Sequence, residues 1–98
     1  MSGNYSRRKG YRFEARARRL LEATGHTVIR AGGSLGVFDL LAWVPGGTLR
    51  AVQVKGGQKP WVSEGEREAM ALAPLPAGAT RELWRWRDYQ PRPEIELL

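Results

Sequence analysis

The chain has no cysteine, which removes disulfides and thiolate metal sites and leaves metal chemistry to oxygen ligands and the single histidine, His26. No apolar run approaches the roughly 18 residues that a membrane span needs, so a soluble protein is expected. Met1 to Lys9 is polar and basic and lacks the apolar stretch of a secretory signal, which makes an intracellular, cytoplasmic location the expectation. Repeats and low-complexity segments are absent as well. With 98 residues there is room for one domain over 1–98 and one modest core, which excludes a self-contained two-domain enzyme. Any large active site must then be shared with a partner or with the substrate.

Negative charge is scarce in the first 59 residues. They hold only the acids Glu14, Glu22 and Asp39, against Arg7, Arg8, Lys9, Arg12, Arg16, Arg18, Arg19, Arg30, Arg50, Lys55 and Lys59. The rest of the chain is balanced to slightly acidic, so this half carries the whole of the +6 net charge. Such a distribution points to a polyanionic partner, with 1–8 read as a basic N-terminal arm. The preference for Arg over Lys suits bidentate phosphate contacts, although arginine-rich surfaces also arise from genome composition alone.

What is present is an ordinary globular composition, 42% hydrophobic and 27% charged, patterned as α/β. Phe13, Ala17, Leu20, Leu21 and Thr24 recur at helical spacing over Lys9 to Thr24, and Gly25 can close that helix. Glu14 falls on the rim of the apolar stripe, facing the core edge rather than the arginine side. A short strand follows over His26 to Arg30, then a glycine-rich loop to Gly36. The apolar runs Val37 to Val44 and Leu49 to Lys55, joined by Pro45-Gly46-Gly47-Thr48, predict an antiparallel hairpin. Counting outward from its turn sets Asp39 nearly opposite Gln53, and Gln53 and Lys55, two apart, leave the same strand face. Ser63 with Glu66 three residues on is a capping-box pattern that opens a second helix, stopped by Pro74, with Trp61, Met70 and Leu72 on its packing side. Arg81 to Arg87 and Glu94 to Leu98 complete a central sheet with helices against it.

An acid and a lysine inside apolar strand runs require an explanation, because burying an unpaired charge costs on the order of several kcal/mol. A simple Asp39–Lys55 salt bridge is one explanation. The other is phosphodiester hydrolysis, which needs a divalent cation on hard oxygen ligands, a positioned water and a cation to stabilise the charge building on phosphorus. Asp39, the Gln53 side-chain oxygen and the Val54 carbonyl can supply the ligands, Lys55 the stabilising charge, and Glu14 a further ligand, directly or through water.

The series Arg8-Lys9-Gly10-Tyr11-Arg12-Phe13-Glu14, Gly25 to Arg30, Ser34-Leu35-Gly36-Val37-Phe38-Asp39-Leu40-Leu41-Ala42 and Val52-Gln53-Val54-Lys55 resembles the archaeal-type Holliday junction resolvases of the PD-(D/E)xK nuclease superfamily. The likeness covers the first half of the chain in order. It implies a restriction-endonuclease-like fold, a central mixed sheet flanked by helices, and a homodimer that makes paired nicks in four-way junction DNA with Mg²⁺ or Mn²⁺. By the same resemblance Glu14, Asp39 and Gln53 take metal-ligand positions and Lys55 the catalytic lysine position. Arg30 and Ser34 match residues that approach the scissile backbone, and Arg7, Arg8 and Lys9 fall in the basic segment that contacts junction DNA. Neither a membrane nor a small-molecule cofactor is implied.

The chain departs from this pattern at Gln53, where the family usually has glutamate; the neutral oxygen lowers the charge of the ligand set. A QxK version also occurs in Mrr-like nucleases, so a repair or Mrr-like enzyme acting on other DNA stays open, as does a basic binding module without catalysis. Glu64, Glu66 and Glu68 read as a solvated helix start, His26 as a strand residue, and Trp43, Trp84 and Trp86 as packing. Trp61 is equally readable as packing or as a base-stacking surface.

Overall fold

The computed structural model of the chain describes residues 2–31, 36–57 and 60–98, the side chains of 2–11 excepted. Phe13, Ala17 and Leu21, four residues apart, lie on one side of a helix and are all buried, and they seat α1, Ser2–Ala23, on a sheet. The helix ends on Gly25 at φ 86°, where Gly25 N–H donates to Glu22 O and His26 N–H to Leu21 O. This double closure needs the left-handed conformation that glycine tolerates best. The helix begins at Ser2, so residues 2–8 of the segment read as a basic arm are its first turns. Apolar periodicity starts only at Phe13, which is why the sequence pattern did not reveal them.

Five strands form one mixed sheet in the order β1, Thr27–Arg30; β2, Leu40–Trp43; β3, Arg50–Gly57; β4, Thr80–Arg87; β5, Glu94–Leu97. β1, β2 and β3 are successive antiparallel neighbours, β3 and β4 are parallel, and β5 returns antiparallel to β4. The parallel pair demands a crossover, and α2, Glu64–Leu72, lies in it. Ser63 caps α2, its Oγ accepting from Glu66 N–H at 3.1 Å, as the capping pattern predicts. The Cα radius of gyration, 13.1 Å, is that of a compact α/β domain of this size, about 13 Å for 100 residues.

Strand alternation divides the core between the two faces of the sheet. Val52, Leu40, Ala42, Trp84 and Trp86 pack toward α1, while Ala51, Leu83 and Phe38 pack with Val62 and Met70 of the α2 segment. Gly56 lets Phe13 lie directly on β3: a Cβ there would stand 2.1 Å from Phe13 Cδ2. Trp61 and Leu72 do not pack as the helix pattern predicts; they are 69% and 73% exposed. No helix among the described residues is long and apolar enough to cross a membrane.

Candidate active site

The β2–β3 hairpin builds the site at its open end. The antiparallel pairing ends at Leu40↔Val52, and Asp39 N–H donates to Val52 O at 2.9 Å, so Asp39 stands at the end of the ladder against the Val52 to Val54 stretch of β3. Phe38 and Leu40, two residues apart, pack into opposite cores, so the chain does not alternate regularly through Asp39. Its carboxylate takes up the next ladder position instead, Oδ2 accepting from Val54 N–H at 2.7 Å. The N–H and C=O of one strand residue leave on the same side, so the Val54 carbonyl is directed to the Asp39 side as well.

Asp39 thereby sits between the two faces of the sheet. From the α1 side, Glu14 approaches with Arg30, whose Nε donates to Glu14 Oε1 at 2.7 Å. From the α2 side comes Lys55. Burial pushes the Asp39 carboxyl above its usual range and the neighbouring Glu14 charge adds to this, opposed by the Val54 N–H, Lys55 and Arg30. A desolvated acid beside a second acid is a place where a cation is favoured.

Gln53 and Lys55 share the α2 face of β3, but Lys55 is not paired with Asp39 as the simple salt-bridge reading would have it. Lys55 Nζ lies 2.9 Å from Glu66 Oε2, and Gln53 Nε2 donates to the same oxygen at 3.1 Å. Gln53 is only 5% exposed, and its Oε1 is buried without a hydrogen-bond partner. An orphaned acceptor of this kind is uncommon in a folded protein, and a donor, a water or a cation can satisfy it. Among the described residues no three His, Cys, Asp or Glu side chains come together as a metal cage. The residues that could hold a cation are mixed: two carboxylates, Asp39 and Glu14, an amide oxygen and a backbone carbonyl. These hard oxygens fit Mg²⁺ or Mn²⁺.

Glu66 is the site residue that sequence reasoning missed, having been taken with Glu64 and Glu68 as a solvated helix start. The Lys55 ammonium holds its carboxyl below the usual range against desolvation, with Gln53 adding to the effect. The signal for it was double: the capping pattern accounted for Glu66 locally and so hid its contact with β3. Ser34 and Lys59, and the side chains of Arg7, Arg8 and Lys9, lie outside the described residues.

His26, Trp84 and Trp86 make structural contacts. His26 Nε2 meets Arg50 Nη1 at 3.2 Å, and its Nδ1 meets Thr24 Oγ1 at 3.0 Å, away from Asp39. Trp84 and Trp86 are buried in the α1-side core. The chain matches no protein-family model and no curated protein sequence.

Proposed function

We propose that the chain is a metal-dependent, structure-selective DNA endonuclease with a restriction-endonuclease-like fold, and that it resolves four-way junctions as a homodimer. What carries this proposal is the buried, unpartnered Gln53 Oε1, between the two β3 residues that Asp39 meets and on the strand face that bears Lys55. Asp39, Gln53 and the Val54 carbonyl would hold Mg²⁺ or Mn²⁺, with Glu14 completing the set directly or through water. When bound, the ion supplies Lewis-acid stabilisation of the scissile phosphate and lowers the pKa of the attacking water.

The protein's own groups do the rest. Lys55 offers its ammonium to the charge that develops on phosphorus, a role for which a positioned cation is effective. Arg30, half-exposed beside Glu14, can extend a guanidinium to the DNA backbone. Arg12, Arg16 and Arg19 are exposed on α1 and give the phosphates a basic surface to approach. Arg7, Arg8, Lys9 and Ser34 enter as DNA contacts through the family resemblance alone.

A cleavage assay on a four-way junction, a flap and a linear duplex, each with and without Mg²⁺, tests the proposal. The expected result is paired Mg²⁺-dependent nicks in the junction. Cutting confined to the flap or the duplex would move the substrate to a repair or Mrr-like class. Tight DNA binding with no cleavage under Mg²⁺ or Mn²⁺ would leave a basic binding module and sink the nuclease.

A further inference from the structure

Glu66 reaches the site from α2 and has no part in the chemistry above. Its backbone N–H is held by the Ser63 cap, while its side chain crosses to β3 and accepts from both Gln53 Nε2 and Lys55 Nζ. An ionised carboxylate can only accept, so the arm of the Gln53 amide that faces Glu66 has to be the NH₂ arm. The oxygen and nitrogen of an amide lie on opposite arms. The same contact therefore turns Oε1 away from Glu66 into the buried position where it has no partner. With the amide reversed, Oε1 would meet a carboxylate oxygen at 3.1 Å, and the positive NH₂ edge would be presented to an incoming cation.

We infer that Glu66 is a positioning residue that fixes the Gln53 amide with its oxygen toward the metal and anchors Lys55 to the same carboxylate. This presupposes the metal-dependent nuclease proposed above. The negative charge missing from strand position 53 is carried on the neighbouring helix, outside the ligand set, and acts through the orientation of a neutral ligand. Partners one step removed from the ion often matter in this way, their loss costing roughly 10- to 100-fold in metal affinity.

Mn²⁺ affinity, measured by calorimetry on the DNA-free protein, tests this in a cycle of wild type, Glu66→Gln, Gln53→Glu and the double variant. A glutamine at 66 both donates and accepts, so it no longer dictates which arm of Gln53 faces it. Glu66→Gln should weaken Mn²⁺ binding by roughly tenfold or more in the wild-type background. With glutamate at 53 there is no nitrogen arm to misplace, and two adjacent carboxylates are relieved. There the same substitution should leave the affinity unchanged or raise it.

A merely structural Glu66 would cost the same in both backgrounds. Equal losses in the two, or no loss in wild type, overturn the inference. If Mn²⁺ binding is abolished by Asp39→Asn yet indifferent to Glu66, the nuclease site stands and only the positioning role falls. If the wild-type chain binds no Mn²⁺, the metal site itself fails and takes the inference with it. A metal-free readout runs alongside: the ¹⁵N side-chain amide resonance of Gln53 should shift in Glu66→Gln while the β3 backbone resonances hold their places. An unmoved Gln53 amide would also overturn the role. Should Glu66→Gln fail to fold, Glu66→Ala serves in the same cycle with the same outcomes.

Discussion

The Asp39 carboxylate stands in for a strand carbonyl: Oδ2 accepts the Val54 N–H at 2.7 Å, two residues past Val52, the last residue of β3 paired with β2. Asparagine keeps an oxygen for that bond, so Asp39→Asn should fold normally while losing the charge on which cation binding depends. Cleavage is expected to fall by at least roughly 100-fold in Asp39→Asn and in Lys55→Ala, with junction affinity little changed because many phosphate contacts supply it. Glu14→Gln should lose less. Single-turnover cleavage beside a binding isotherm checks all three, and near wild-type cutting by Asp39→Asn or Lys55→Ala would remove those residues from the site.

Gln53→Glu gives the site a strand carboxylate but sets it against Glu66, where the amide now donates at 3.1 Å. Without metal the exchange of a hydrogen bond for a like-charge contact should cost about 2 kcal/mol. A Tm lower by roughly 10 °C follows. Mg²⁺ or Mn²⁺ should recover most of the loss and act at lower concentration than on wild type. Thermal melts across a metal titration decide this, and a Tm deficit that divalent ions leave untouched would show that position 53 does not contact them.

Gly56→Ala tests how closely α1 lies on the sheet. The added methyl meets the Phe13 ring from 2.1 Å, deep in a packed face, so either the ring or the helix has to shift. Overpacking of this kind costs about 1–3 kcal/mol. Thermal denaturation should record a Tm lower by at least about 5 °C. An unchanged Tm would mean that Phe13 has another place to go.

Acid should weaken the fold through Glu82. This side chain is 1% exposed and accepts from Arg50 Nε and Nη2, both at 2.7 Å, from Thr80 Oγ1 at 2.6 Å and from Trp84 Nε1 at 3.0 Å. Burial pushes its carboxyl upward, but Arg50, Thr80 and Trp84 together hold it below the ordinary 4.5. Its stabilising contribution is therefore fully present above pH 4.5 and is lost as pH falls through the depressed folded-state value. Glu82→Gln should be less stable at neutral pH by about 3 kcal/mol, with the gap to wild type closing as pH falls. Urea titrations from neutral pH to about pH 3 measure the gap, and a difference constant with pH would contradict the ionised pairing.

Much of the site was legible because it follows from local rules. The turn Pro45 to Thr48 sets the register that runs to Leu40↔Val52 and brings Asp39 against the Gln53 segment of β3, and strand alternation puts Gln53 and Lys55 on one face. The Schellman closure at Gly25 and the Ser63 cap were readable for the same reason. What escaped prediction depends on contacts between segments far apart in the chain. Glu66 meets β3 only because the crossover sets α2 over Gln53 and Lys55, and Glu82 meets Arg50 only through the parallel pairing of β3 and β4. The exposure of Trp61 and Leu72 is also tertiary: Val62 and Met70 are the residues of that segment that enter the core.

Among the residues of α2, Met70 alone is buried, and much of what ties the helix down is ionic: Lys55–Glu66 at 2.9 Å and Arg67–Glu96 at 2.6 Å. Ion pairs that are part-exposed, as these are, are still weakened by salt, whereas the apolar seating of α1 is not. Local opening of α2 should thus be the cheapest large fluctuation of the domain, with its amides exchanging with solvent well before those of β3 and β4. Each such opening removes the carboxylate that meets Gln53 and Lys55. The site can lapse and re-form while the sheet beneath it stays intact, and rising ionic strength should make it do so more often.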